Sequence, residues 1–339
     1  MRYIQITGPE QLLTGEKEKP RPAPGQALLK VLYGGICGSD ISLYRGHMSA
    51  YASFPRIPGH ELAAELVLVN GDAGDLKPGE TVTVNPYFNC GRCYSCRRGY
   101  VNCCVNNQTM GLQREGGFAE YIAVPVERVY SGQGLDPQDL ALVEPFCISH
   151  HALSRAALKT GERVLVMGAG AIGIFAMLSA KLRGAEVYVC DVAAPKLDFA
   201  AALGADGLIL NSGPEDFLRQ TEEASRGDGF DVLIEAVGLP QTLLDCLAAG
   251  AHMSRIVEVG IGSRNLDFAF NIIQKKELNI MGSRNALRRD FLELISVLKS
   301  KTVSVAGMVT NVYGFDEAAR AFAETAANTG TNLKSLIRF

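Results

Sequence analysis

Val164-Leu165-Val166-Met167 runs without a break into Gly168-Ala169-Gly170-Ala171-Ile172-Gly173, and the reading of this stretch decides the fold of the surrounding chain. G-x-G-x-x-G alone is a weak signal, because ordinary turns place glycines at the same offsets. Here it follows a short apolar strand (Arg163–Met167) and opens an apolar helical stretch, Ile172 to Leu182. In that setting Gly168 permits a tight turn, Gly170 lets backbone approach a pyrophosphate, and Gly173 allows close helix–strand packing. The helix N-terminus around Ile172 then offers free N–H groups to phosphate. Asp191 closes the next strand, Glu186–Cys190, at a distance suited to accepting hydrogen bonds from the adenosine ribose. A carboxylate there repels a 2′-phosphate, which favours NAD over NADP. Lys196 is a candidate to bracket the ribose. The plainer alternative is a βαβ turn with a surface aspartate and a solvated lysine.

Moving outward, strands alternate with helical patterns through Gly207–Leu210, Asp231–Ala236 and Arg255–Gly260. That alternation predicts an α/β unit with a doubly wound parallel sheet. Beyond residue 290 the pattern gives a helix (Phe291–Leu298), a strand (Val303–Val309), a helix from Asp316 and a closing strand, Lys334–Phe339. On pattern alone this tail either completes the parallel sheet or returns to the first domain. Upstream of residue 145 the texture differs. Short apolar runs (Ala27–Val31, Ala63–Val69, Thr81–Asn85, Ala119–Val124) separated by glycine- and proline-containing turns predict a β-rich domain.

The whole chain has 339 residues, 47% hydrophobic and 20% charged, with a formal net charge of −3. Two soluble domains are expected at that length. The balance of charge argues against nucleic acid or an anionic membrane as partner. Arg288-Arg289 reads as a solvated helix start. No apolar run approaches the ~20 residues needed to span a bilayer, and Met1–Lys17 lacks a signal-peptide pattern, so a reducing cytoplasm is the expected setting.

Nine cysteines in such a setting point to metal rather than to disulfides. Cys90-x-x-Cys93-x-x-Cys96, with Cys104 eight positions later, supplies four soft ligands from one loop. Such a set matches a closed, structural tetrahedral zinc. An iron–sulfur cluster is the alternative that the same ligands allow, and the neighbouring Cys103 leaves the last ligand's register open. Cys147, Cys190 and Cys246 read as small core residues, and His150 and His151 as packing or capping residues.

A second candidate site draws on residues far apart: Cys37 in Gly35-Ile36-Cys37-Gly38-Ser39-Asp40, His60 in Gly59-His60-Glu61, and Glu144 before Pro145. Individually each is weak, since a lone cysteine or histidine is usually packed. Together, one sulfur, one imidazole and one or two carboxylates leave a coordination position free, as a catalytic zinc requires. Asp40 is a candidate to hold the other imidazole nitrogen of His60.

These motifs, with Gly116-Gly117-Phe118-Ala119-Glu120-Tyr121, resemble in order the zinc-dependent medium-chain alcohol dehydrogenases over nearly the whole chain. Glu144-Pro145 is similar to the polyol and threonine dehydrogenase branch. Gly282-Ser283-Arg284-Asn285 resembles its sugar-acid and polyol members, the L-galactonate 5-dehydrogenase group in particular. The resemblance implies a GroES-like catalytic domain (1–145 and 291–339), to which the tail returns, and a Rossmann NAD-binding domain (146–290). It implies two zinc ions per chain and homodimers or homotetramers. Cys37, His60 and Glu144 would ligate or approach the catalytic zinc, with Glu61 in or behind that shell. Ala236, Val237, Val259 and Ser283 would lie along the nicotinamide, and Arg284 and Asn285 are substrate candidates. Two positions depart from the family pattern: Ala64 stands where a glycine is usual, and Ser42 where a relay histidine is common. Proton exit would then use Ser42, water, the ribose hydroxyl or His47.

The expected activity is hydride transfer between NAD and a secondary alcohol of a small polyol, sugar or sugar acid, with Ser39 accepting the hydroxyl proton. A threonine-type amino-alcohol dehydrogenase and a non-catalytic NAD-binding regulator are the alternatives. A zinc-free quinone reductase is disfavoured by the two metal clusters.

Overall fold

The computed structural model describes residues 1–47, 52–262, 264–328 and 330–339. It divides into two compact units, one of Met1–Glu144 with Leu287–Phe339 and one of Pro145–Ala286; the division falls inside the helix Val143–Arg155.

The first unit is built on a seven-stranded, mostly antiparallel sheet. Its long central strand, Gln26–Ile36, pairs with Glu61–Asn70 along most of its length and with Tyr121–Pro125 at its start. Thr81–Val84 and Val129–Ser131 extend the sheet on one side. On the other side lies Lys334–Arg338, antiparallel to residues 33–36 and parallel to Val309–Gly314. The tail thus closes the first unit's sheet. Alternation sends Ala27, Leu29, Val31, Leu62, Ala64 and Leu66 into one fully buried cluster, which is why these strands form where apolar residues recur at every second position. A second cluster gathers Ile4, Ile6, Phe118, Phe322 and Ile337.

The second unit is a six-stranded sheet in the order Gly207–Leu210, Glu186–Asp191, Arg163–Met167, Phe230–Glu235, Gly250–Glu258, Asn279–Gly282, with every pairing parallel. Connection order reverses beside Arg163–Met167, as in dinucleotide-binding folds, where ligands settle outside the carboxyl ends of the strands. Val164, Leu165, Val166 and Met167 are all buried, the signature of a strand covered on both faces. The α/β reading with a Rossmann sheet and a β-rich first domain therefore holds.

Two elements differ from expectation. Asn279–Gly282 is a sixth strand that the pattern did not announce. The strand expected at Val303–Val309 instead runs Val309–Gly314, after a turn that uses Gly307 at φ +84; a left-handed residue ends an extended run before it can pair. Among the described residues no helix is long and apolar enough to cross a membrane.

Candidate metal centres and dinucleotide site

Cys37 caps the helix Gly38–Tyr44, just beyond the end of the strand Gln26–Ile36. His60 immediately precedes the strand Glu61–Asn70, and Gly35 stands opposite Glu61 in the sheet register. The pairing of these two strands is what brings residues 37, 60 and 61 together. Gly35 is required there, since a Cβ on it would lie 2.1 Å from Glu61 Oε2. The ligand atoms of Cys37, His60 and Glu61 lie within 4.8 Å of one another. A thiolate, an imidazole and a carboxylate converging in this way suit a zinc ion with one open position.

Several buried ionisable groups surround this cluster. Asp40, fully buried, accepts from the Cys37 N–H at 2.9 Å and the Gly59 N–H at 3.1 Å, so its carboxylate fixes the backbone of both ligand loops. Its Oδ1 stands 3.9 Å from His60 Nδ1, which is beyond hydrogen-bond range, and that nitrogen has no partner. The expected Asp40–His60 hydrogen bond is therefore replaced by an electrostatic contact, because two N–H donors already claim the carboxylate. Burial pushes the Asp40 carboxyl above its usual range, with His60 pulling the other way. Burial opposes a charge on His60, yet Cys37, Asp40 and Glu144 together lift its pKa well above the ordinary value. So much converging negative charge is what a bound cation would neutralise.

Two further side chains, Lys334 and Tyr87, enter that no sequence motif identified. Lys334, from the closing strand, places Nζ 2.6 and 2.7 Å from the two oxygens of Glu61, both residues being buried. A lysine inside the apolar run Leu333 to Ile337 was the available hint, since a buried lysine demands a counter-charge. Glu144 lies in the first turn of Val143–Arg155, buried, and accepts from the Tyr87 hydroxyl. It stands outside the ligand group that contains Glu61, so the carboxylate brought among the donor atoms is Glu61. Burial raises the Glu144 carboxyl to about 7, against the lowering influence of His60 and the Tyr87 hydrogen bond. Ser39 is half-buried two residues after Cys37; Ser42 lies one turn further and His47 is exposed.

Cys90, Cys93, Cys96 and Cys104 form the second cluster, their sulfurs within 4.8 Å of one another. Cys103 is exposed and lies outside this group. Backbone N–H groups of Arg92 and Cys93 bring the Cys90 thiol down to about 6, and those of Cys96 and Val105 lower Cys93. Burial pushes Cys104 up to about 11. Amides aimed at sulfur stabilise thiolates, and four such ligands fill a tetrahedral zinc.

In the second unit, Gly168 sits at φ +97 and a Cβ on Gly173 would lie 1.7 Å from the Gly168 carbonyl oxygen, so both glycines are required by the turn. A Cβ on Gly170 would meet nothing within 4 Å, leaving that face of the backbone open to a ligand. Gly170 caps the helix Ala171–Leu182, with Ile172 in its first turn. Asp191 accepts from the Ala169 N–H at 2.7 Å and the Ala193 N–H at 2.9 Å, tying itself to the glycine turn. Lys196 is half-buried in the first turn of Ala194–Ala202. Ala236, Val259 and Ser283 each directly follow the carboxyl end of a parallel strand, and Val237 comes next after Ala236. Glu235, also unmarked by any motif, holds the turn after its strand by accepting from the N–H groups of Val237 and Gly238 at 3.0 and 2.9 Å. Arg284 is exposed and Asn285 is left-handed at φ +51. His150 is buried against Ser179 and Arg183, a packing role.

A β-rich unit with a three-ligand metal site and a four-cysteine lobe, joined in sequence to a Rossmann unit, defines the class of zinc-binding dehydrogenases. Residues 23–133 match the alcohol dehydrogenase GroES-like domain and residues 171–300 the zinc-binding dehydrogenase domain. The chain is 35% identical to L-galactonate-5-dehydrogenase of Escherichia coli K12 over 100% of its own length and 99% of that protein. It is 31% identical to L-threonine 3-dehydrogenase of Pyrococcus horikoshii, covering 91% of this chain and 90% of the relative. Among solved structures, the alcohol dehydrogenase RspB of Escherichia coli CFT073, complexed with NADH, superposes with a TM-score of 0.92 at 31% identity, covering 100% and 99% of the two chains. The chain belongs to the zinc-binding alcohol dehydrogenase family and is an alcohol oxidoreductase.

Proposed function

We propose that this enzyme transfers a hydride between NAD and a secondary alcohol of a small polyol, sugar or sugar acid, with L-galactonate-like acids as the first class to test. The observation that carries the reading is the convergence of the Cys37, His60 and Glu61 ligand atoms within 4.8 Å. Likeness to L-galactonate-5-dehydrogenase along the full chain supports the substrate class. Similarity to a threonine dehydrogenase makes amino alcohols the second class to assay.

In this reading Cys37, His60 and Glu61 hold the catalytic zinc, with Glu144 at its edge and Asp40 fixing the ligand loops. Bound there, zinc supplies Lewis acidity that lowers the pKa of a substrate hydroxyl. Ser39 accepts the hydroxyl proton and passes it through Ser42 or His47 to solvent. NAD supplies the carbon that takes the hydride. Gly168, Gly170, Ile172 and Gly173 cradle its pyrophosphate, Asp191 its ribose hydroxyls with Lys196 alongside, and Ala236, Val237, Val259 and Ser283 flank the nicotinamide. Arg284 and Asn285 grip the substrate's hydroxyls or carboxylate. Cys90, Cys93, Cys96 and Cys104 hold a structural zinc, and the assembly is a homodimer or homotetramer.

Metal analysis together with an NADH-absorbance panel of sugar acids, polyols and threonine tests this. Two zinc ions per chain and turnover of a sugar acid or polyol are expected, with Cys37→Ser and His60→Ala folded but inactive. Preferred turnover of threonine moves the assignment to amino alcohols. Tight NAD binding without turnover of any alcohol replaces the enzyme reading with a regulatory one.

A further inference from the structure

A continuous set of polar contacts joins the cysteine lobe to the Glu144 carboxylate. All four cysteines of the lobe lie between two short strands, Tyr87–Phe88 and Gln108–Thr109, which pair antiparallel and form its base. From the Cys96 sulfur, 3.9 Å from the Asn89 amide nitrogen, the contacts pass through Asn89 Oδ1, which accepts from Arg128 at 2.6 Å. Arg128 also donates to the Tyr87 carbonyl. The Tyr87 N–H donates to Asn85 Oδ1 at 3.0 Å, so the backbone of Tyr87 is held on both sides. Its hydroxyl donates to Glu144 Oε1, with phenol and carboxylate both buried. A rotatable glutamate at the start of a helix has several places to put its carboxylate. The contact with Tyr87 selects one of them.

We propose that Tyr87 is a positioning residue for Glu144, and that through it the cysteine lobe sets the geometry of the metal centre. The kinetic consequence rests on the zinc-dependent reading above, but the placement of Glu144 does not require turnover. The phenol acts by holding the carboxylate at one distance from the Cys37–His60–Glu61 group.

Tyr87→Phe removes the hydroxyl and keeps the ring. In protein carrying cobalt at the Cys37 site and zinc in the lobe, the visible absorption of cobalt should shift, with metal content unchanged. With the alcohol that the wild type oxidises best, kcat/KM should fall roughly tenfold to a hundredfold, the scale of a lost hydrogen bond to a charged group. In a Glu144→Ala background, which has no acceptor for the phenol, the same substitution should change kcat/KM less than about twofold, because interacting residues are not additive. An unchanged cobalt spectrum, or an equal loss in both backgrounds, overturns the proposal. Should Tyr87→Phe fail to fold, Arg128→Gln loosens the Tyr87 carbonyl while keeping the phenol, and additivity with Glu144→Ala is then the overturning result. A wild type that oxidises no alcohol sinks the functional reading alone, since the cobalt spectrum still decides the role of Tyr87.

Discussion

Burying Lys334 and Glu61 together strips both charges of water, a cost that only close mutual contact offsets. Their separations of 2.6 and 2.7 Å provide that contact, and the Glu61 charge beside it helps lift the lysine's pKa above its ordinary value against the opposing effect of burial. Lys334→Met would leave Glu61 buried without its partner. Chemical denaturation of the metal-free protein should then show a loss of about 3–5 kcal/mol; a loss below ~1 kcal/mol would show that the ion pair adds nothing. The motifs around Cys37, His60 and Glu61 were legible because each combines a chemically special residue with glycines that shape its loop. Lys334 and Tyr87 were not, because a lysine or tyrosine in a short strand usually belongs to the surface, and only the fold brings these two onto the carboxylates. Nothing in the sequence ranks Glu61 against Glu144 either. That distinction comes from which strand pairs with which.

At the scale of elements, the glycine turn offers a paired test. A methyl at Gly173 collides with the Gly168 carbonyl, whereas one at Gly170 enters open space. Gly173→Ala should therefore cost about 1–3 kcal/mol of stability and weaken NADH binding. Gly170→Ala should keep its melting temperature and lose affinity alone, as read by melts and NADH fluorescence titration. Equal melting losses in the two variants would contradict this account of the turn. The cysteine lobe gives a second pair: Cys93→Ser should release one metal ion per chain and lower the melting temperature, while Cys103→Ser, altering an exposed thiol, should do neither. Mass spectrometry under native conditions counts the ions. The parallel strands around the glycine turn were readable as unbroken apolar runs. Asn279–Gly282 is not legible as a strand in the sequence, being a short edge strand with exposed positions and little alternation. The stretch from Val303 to Val309 is uncharged and mostly small or apolar, so the sequence does not place the start of the strand, and Gly307 at positive φ lies just before it.

Taken as a whole molecule, the metal-free protein should respond to pH through Glu144. Its carboxyl titrates at about 7 when folded, chiefly through burial, against an ordinary value of 4.5. The folded chain therefore holds this proton more tightly than the unfolded one. The resulting stability is fully present below about pH 4.5 and is lost as pH rises through 7. Between pH 5 and 8, melting temperatures of metal-free wild type should fall relative to those of Glu144→Gln; a constant difference would rule the linkage out. The order of strands in the first sheet has a further consequence, for biosynthesis. The edge offered by residues 33–36 waits for a partner strand whose first residue, Lys334, lies 298 positions after Ile36. At the usual 5–20 residues per second, a ribosome needs roughly 15 to 60 s to deliver it. Throughout that interval the nascent chain carries an open strand edge, free to pair with another copy on the same polysome. Yield should accordingly depend on nascent-chain chaperones and on the speed of translation between the two strands.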